Sequence, residues 1–366
     1  MNLNCLRSMP LYALLVMLLT GATARAQVTP AAGSTPPDDT PSVRVGVTLF
    51  TDYTFTQQPQ TTDADGNTIR PNTFNVSRSY INITGNISHL VAFRITPDVS
   101  RETGMGSSLN GSLTFRIKYA YAQVNLDDWM PAGSWARLGI QHTPFVVYEE
   151  DIYRYRFQGT VFAEREGFLS SSDAGASFHA NFPHNYGEIH AGFYNGEDYY
   201  RAEANNQKSF QLRGTLRPFP RGDILRGLRV TGFFDADHYI KDAPRGRLIG
   251  NVTFEHNYVN AGFDYLDTSD QTSVTKVKLD GRGYSLWLTP RSATGVEGLF
   301  RYDRLRPDRG IDAHRTRTIA GVAYWFPHQG NVSAALLGDY EQVNFQGFAP
   351  AQPAQKRIAV HGLVNF

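Results

Sequence analysis

The sequence predicts an all-β protein, a transmembrane antiparallel β-barrel of about sixteen strands with an inward-folding constriction loop. Three observations lead there. Apolar and polar residues alternate from Val43 to the end of the chain, the links between alternating stretches are short and long by turns, and the last stretch ends on an aromatic residue. The composition agrees. Gly 33, Tyr 19 and Phe 23 stand beside Met 5 and Cys 1 in 366 residues, which is a strand-and-turn balance. A mean hydropathy of -0.36 excludes a bundle of membrane helices. The net charge of +1 is too small for a nucleic-acid binder held by phosphate contacts.

The N-terminal segment reads as an address. Arg7, the apolar run Leu11 to Leu19 and Ala24-Arg25-Ala26 form a signal peptide over residues 1–26, with cleavage before Gln27. The alternative, a membrane anchor, would need about 20 apolar residues, more than this run offers. Cys5 leaves with the signal, so the mature chain has no thiol for a disulfide, a metal or a nucleophile. Residues 27–42, with Pro30, Pro36, Pro37 and Pro41, read as a flexible leader, and residues 43–366 as the barrel.

Strands are expected at 43–50, 74–87, 90–96, 113–126, 135–141, 174–182, 188–194 and 209–219. Eight more follow at 228–239, 248–256, 258–266, 284–289, 296–305, 316–326, 332–343 and 357–366. In the fourth, Ile117 sets one phase and Ala120, Ala122 and Val124 the other, which predicts a bulge. Tight breaks at 88–89, 183–186, 256–257, 289–295 and 327–330 alternate with long polar links at 56–73, 97–112, 142–173, 195–208, 267–283, 306–315 and 344–356. Short turns at one rim and long loops at the other are the rhythm of an outer-membrane barrel, and a β-sandwich has no reason to keep it. Trp129, Trp135, Trp287 and Trp325 all fall near short turns, which predicts an aromatic girdle at that interface.

Ile358, Val360, Gly362, Val364 and Phe366 take every second position of the last strand. This resembles the C-terminal strand of outer-membrane barrels, which their assembly machinery recognises by the final Phe. The expected surroundings are therefore the lipids of the outer membrane of a Gram-negative-type bacterium.

With the apolar faces toward lipid, the opposite faces line a lumen. The early strands place Arg44, Arg78, Arg94, Arg116, Lys118 and Arg137 there, and the eighth adds Arg213 and Arg217. Later strands contribute Asp235, Asp237, Glu255, Asp264, Glu297, Asp303, Asp339 and Glu341, against Arg229 and Arg301. The lumen thus has a basic and an acidic side, with a transverse field between them. Seven of these cations, Arg78, Arg94, Arg116, Lys118, Arg137, Arg213 and Arg217, are the expected anion-binding lining. The longest link, 142–173, carries Glu149, Glu150, Asp151, Arg154, Arg156, Glu164 and Arg165 among Tyr148, Tyr153, Tyr155, Phe157 and Phe162. Folded inward it would constrict the pore; folded outward it would be a polar surface loop.

Gly139-Ile140-Gln141-His142-Thr143-Pro144-Phe145, then Phe162-Ala163-Glu164-Arg165, resembles a segment of the phosphate-selective porins of the O and P type. Leu212-Arg213-Gly214 through Arg217-Pro218-Phe219 is similar to another strand of that family. The resemblance implies a sixteen-stranded homotrimeric porin that passes anions, phosphate among them, without catalysis or cofactor. Pro144, Phe145, Glu164 and Arg165 match its loop motifs. The chain departs from it in an acidic second half and few lysines. Rival readings are a general or weakly selective porin, a barrel hydrolase, and a plugged transporter or adhesin. No Gly-x-Ser-x-Gly elbow supports the hydrolase, and the leader is too short for a plug. Asp63-Ala64-Asp65-Gly66-Asn67 lacks the Gly and Glu spacing of an EF-hand and reads as an Asx-type turn. His179, His184 and His190 are not expected to converge on a metal.

Overall fold

A computed structural model of the chain describes residues 38–366 apart from 103, 105, 204 and 328–331. The signal peptide reading falls outside these residues, as does the leader before Asp38. Sixteen strands form one closed antiparallel barrel. The first, β1 (Ser42–Gln58), is followed by a two-strand loop hairpin, β2 (Thr61–Thr62) and β3 (Thr68–Ile69), and then by β4 (Asn72–Asn86) and β5 (Val91–Arg101). Next come β6 (Leu113–Asn125), β7 (Trp135–His142), β8 (Ser172–Asn181), β9 (Gly187–Tyr194), β10 (Ser209–Leu216) and β11 (Leu228–Ile240). The circuit ends with β12 (Ala243–His256), β13 (Val259–Asp270), β14 (Leu279–Pro290), β15 (Val296–Arg306), β16 (His314–Trp325), β17 (Ser333–Gln346) and β18 (Gln355–Asn365).

Closure is made by β1, which pairs with β4 on one side and β18 on the other. Val47 and Phe366 exchange backbone N–H···O bonds at 2.9 Å each, so the terminal residue itself completes the ladder. A closed ladder leaves no strand edge with unpaired N–H and C=O groups, which is the condition for crossing lipid. No helix among the described residues is long and apolar enough to cross a membrane. The outer face is apolar: Val43, Val45, Leu138, Phe193, Leu248, Val252, Val322 and Val360 are all exposed on it. On the opposite face of the wall lie Arg213, Asp235, Asn251, Asp264, Asp339 and His361, all sheltered inside.

The bulge in β6 is present. Thr96 pairs with Tyr119 and Pro97 with Ile117, so Lys118 is the extra residue, and Lys118 and Tyr119 both face inward. Asp63 accepts hydrogen bonds from the N–H groups of Asp65 and Asn67 at 3.0 and 2.8 Å, closing an Asx turn at the tip of the β2–β3 hairpin. At the short-turn rim His89 bridges Asp39 and Asp128 at 2.5 and 3.1 Å, and these two carboxylates raise its pKa.

Two expectations fail. The link between β11 and β12 is a hairpin of Lys241 and Asp242, with Asp242 at φ 65°, on the rim that otherwise carries long loops. Pro244 and Arg245, which fall between the expected strands 228–239 and 248–256, belong to β12 and extend it back to this turn. The tryptophan girdle is also wrong. Trp135, Trp287 and Trp325 face the lumen and are buried there, and Trp129 alone, 67% exposed, stands outside. Their positions near the turns are correct and their face is not, because the lumen itself contains apolar matter for them to pack against.

Val252 lies on the outer face of β12 between Leu248 and Phe254. Val252→Arg is expected to destabilise the barrel by about 2–4 kcal/mol if this face meets hydrocarbon. The measurement is the denaturant midpoint of the protein refolded in lipid vesicles, and an unchanged midpoint would contradict the outward assignment.

Candidate functional site

The site is built by the link between β7 and β8. After His142 the chain turns into the lumen rather than away from it, and residues 143–171 run along the inner wall before β8 resumes at Ser172. Two helices organise it: α1 (Val146–Tyr153) and α2 (Phe162–Arg165). In α1 the buried residues Val146, Glu149, Ile152 and Tyr153 recur at helical spacing and form one face. Arg154, at φ 65°, ends the helix and donates its N–H to the Glu150 carbonyl.

The wall that receives this face is apolar at the same level. Val146, Ile152, Tyr153, Tyr155, Phe157 and Val161 pack with Trp287, Leu299, Ile319, Trp325, Leu337 and Leu363. Phe145 and Phe162 pack with Phe233, Ile249, Leu266 and Leu305 in a second cluster. Tyr153 and Tyr155 meet the edges of Trp287 and Trp325, with ring centroids 5.2 and 5.9 Å apart. Gly262, opposite Trp287 in the β13–β14 register, makes room for that indole, since a Cβ there would lie 2.3 Å from it. These inward apolar residues of β11–β18 were missed as a site. Their signal was present, for Leu299 shares the face of Glu297, Arg301 and Asp303, and Leu337 that of Asp339 and Glu341, the faces assigned to the lumen.

Polar anchors hold the loop between the clusters. Arg154 and the Tyr155 hydroxyl reach Glu297 at 3.2 and 3.0 Å. Arg301 donates to the Thr160 carbonyl at 2.7 Å, and Asn260 to that of Ile152 at 2.8 Å. Glu341 accepts from Arg165 at 2.7 Å, Arg357 at 2.6 Å, Arg317 at 2.9 Å and Gln158 at 3.3 Å. Glu166 is gripped by Arg315 and Arg317.

The seven expected loop residues therefore have distinct placements. Glu149 is buried and accepts from the Trp287 indole N–H at 3.3 Å. Glu150 pairs with Arg156 at 2.5 Å, and Glu164 accepts the Ser171 N–H at 3.0 Å. Arg154 and Arg165 point to the wall, as above. Asp151 is exposed to the lumen and, among the described residues, makes no hydrogen bond or ion pair.

The seven wall cations divide into three groups. Arg78, Arg116 and Arg213 are ion-paired, to Asp98 at 2.5 Å, to Glu102, and to Glu188 at 2.6 Å. Arg217 sits at the short-turn rim, with its N–H on the Tyr186 carbonyl. Arg94, Lys118 and Arg137 on β5, β6 and β7 have no carboxylate partner. Arg94 donates to Thr96 and Asn82 and meets His142, all neutral partners in its pore wall, at 2.9, 2.8 and 3.2 Å. Lys118 bonds the Tyr80 hydroxyl at 3.3 Å, and Arg137 bonds Gln123 at 2.7 Å. Aromatic rings flank all three: Tyr119 lies 4.5 Å from Arg94, Tyr80 4.8 Å from Lys118, and Tyr121 and Trp135 4.5 and 3.6 Å from Arg137. Sequence reasoning did not single out these tyrosines, and the Lys118 bulge is what puts Tyr119 on the same face as its cations.

The acidic side is not bare. Arg229 pairs with Glu255, Arg245 with Asp237, Arg247 with Asp270 and Arg301 with Asp303. A transverse field survives, with Asp151 facing the unpaired cations, but most acids of the later strands are compensated. The three histidines have separate placements. His179 and His190 are direct cross-strand partners with ring centroids 6.0 Å apart against Trp135, and His184 lies in the turn. No group of three or more potential metal ligands occurs among the described residues.

No protein-family model matches the chain, and no curated protein matches it. Solved structures do. A loop L8 deletion mutant of OmpT, an outer membrane protein of Vibrio cholerae, superposes with a TM-score of 0.61 at 13% identity, covering 89% of this chain and 99% of its own. An anion-selective porin from Comamonas acidovorans gives 0.61 at 11% identity over 89% and 100% of the two chains. The outer membrane channel DcaP of Acinetobacter baumannii gives 0.59 at 10% identity over 92% and 100%. The chain is therefore similar in fold to outer-membrane porins along almost its whole length.

Glu341 is the point where β16, β17, β18 and the loop meet. Glu341→Ala leaves three guanidiniums without their shared carboxylate and is expected to cost roughly 3 kcal/mol. It also frees the second half of the loop, read as altered conductance and added open-channel noise in planar bilayers. Wild-type stability and conductance would show that the loop is held by apolar packing alone.

Proposed function

We propose that the protein is an outer-membrane channel for passive diffusion of small hydrophilic solutes, with a preference for anions. The observation that carries this reading is the contrast between the two lumen walls. On β11–β18 the inward arginines are paired with carboxylates, whereas Arg94 and Arg137, half-buried on β5 and β7, keep their charge beside the open part of the lumen, and Lys118, buried against Tyr80 and Tyr119, adds its charge from within that wall. A permeating anion can exchange part of its hydration for these donors, and a cation meets no equivalent wall. The likeness in fold to porins supports a channel rather than an enzyme, and phosphate is among the anions such a wall would pass. The exposed outer face suits outer-membrane lipid. The terminal strand suits the assembly machinery that reads a final Phe, and Phe366 is exposed on its outer face. Export by residues 1–26 and a homotrimer complete the reading.

A general, weakly selective porin is the second reading, favoured by Asp151 in the open lumen. The two are separated by the reversal potential of the refolded protein in a planar bilayer under a KCl gradient. Anion selectivity is expected, and the triple change of Arg94, Lys118 and Arg137 to Gln should move the potential toward the cation side. Arg247→Gln, on the compensated wall, should move it far less. A weak or cationic potential in the wild type would favour the general porin, and no conductance would revive the non-channel readings.

A further inference from the structure

Between α1 of the loop and the short-turn half of β7–β11 lies a cavity of about 260 Å³. One side is apolar: Trp135, Pro144, Val147, Tyr148 and Ile152 line it. The other side is cationic, with four guanidiniums, those of Arg137, Arg213, Arg217 and Arg229, against the carboxylates of Asp151 and Glu188. Glu188 is taken up by Arg213. We propose that this cavity is a subsite for a small aromatic carboxylate, its acid group on Arg137, which Trp135 backs, and its ring against Tyr148 and the loop's apolar residues Pro144, Val147 and Ile152. The inference rests on the anion-channel reading and names the class of solute for it.

The donors decide against a dedicated phosphate cage. Arg213 already bonds Glu188, Thr215 and the Pro144 carbonyl, at 2.6, 2.8 and 2.6 Å. Arg137 bonds Gln123 through Nε alone, and its two terminal nitrogens have no hydrogen bond among the described residues. Two parallel N–H groups on one guanidinium match the two oxygens of a carboxylate. They fall short of what a phosphate with four oxygens takes. A hydrated inorganic anion would also leave the apolar side of the cavity wet, whereas an organic body fills it. A conjugated acid is flat, so its ring stays in the plane of the carboxylate that Arg137 holds, which a puckered saturated ring cannot do.

The test is inhibition of the chloride current of the refolded full-length protein by benzoate, cyclohexanecarboxylate and inorganic phosphate. Benzoate is expected to act at roughly tenfold lower concentration than phosphate through burial of one ring face, and at lower concentration than cyclohexanecarboxylate because only a flat aromatic ring packs on Tyr148 in the plane of the held carboxylate. Arg137→Gln should abolish this advantage. Should that variant fail to fold, Val147→Asp, which sets a carboxylate into the cavity from the loop, should do the same. Equal inhibition by phosphate, or by the saturated acid, would overturn the subsite while the anion-selective reversal potential stands. Loss of that potential in the wild type would instead overturn the channel reading itself.

Discussion

The interior of this barrel depends on where residues 143–171 find dry partners. A barrel of sixteen strands encloses more space than its wall side chains fill, so a lumen of this size is wet unless chain enters it. The loop between β7 and β8 brings Phe145, Tyr153, Tyr155, Phe157 and Phe162 into that water-filled space. Such rings would gain little by lying on a polar wall. They settle instead on the stretch where β11–β18 turn Phe233, Ile249, Leu266, Leu299, Leu305, Ile319 and Leu337 inward. Apolar burial thus chooses the side of the lumen that is closed, and by exclusion the side that stays open.

That choice sorts the charges. Placing a loop backbone against a wall at membrane depth requires partners for its carbonyls, and arginines and asparagines of β10–β15 provide them: Arg213 for Pro144, Asn260 for Ile152, Arg301 for Thr160. Loop arginines in turn need carboxylates, and Glu297 and Glu341 accept them. The acids of the later strands are therefore structural before they are electrostatic. The net charge of +1 conceals this division, because it adds charges cancelled inside the wall to charges that face the solvent in the pore.

Much of this was legible in the residues. Strand existence followed from a period of two, and the phase break between Ile117 and Ala120 located the bulge at Lys118. What failed was anything that needed knowledge of the third dimension. Tryptophans near turns suggested a girdle, since on a two-sided strand a large aromatic fits either face, and only the arrival of Tyr153 and Tyr155 from a distant loop makes the inner face the dry one. The Lys241–Asp242 turn was hidden because Pro244 and the arginines around it look like loop composition. His179 and His190 pair because β8 and β9 are joined by a turn whose length sets their register, which residue spacing alone does not reveal. The faces of the seven wall cations were readable, and which of them keep their charge was not, since the partners Asp98, Glu102 and Glu188 come from neighbouring strands or strand ends.

The same side chain serves two opposite ends in this lumen, and its partner makes the difference. An arginine against a carboxylate loses its field beyond a short distance, which is useful where the loop must be held and harmful where an ion must be attracted. An arginine flat against a tyrosine or tryptophan is also stabilised and oriented, by the ring quadrupole, yet its charge is not cancelled. Around the closed half the partners are carboxylates. Around β5–β7 they are Tyr119, Tyr121 and Trp135, together with neutral Thr96, Asn82 and Gln123. Rigid cations with uncancelled charge are what a passing anion can use, Arg94 through its field, since its nitrogens are engaged, and Arg137 also through the N–H groups of its two terminal nitrogens. The aromatic residues of the open wall are thus part of its electrostatics, and replacing one of them with an acid would silence a cation as surely as removing the cation.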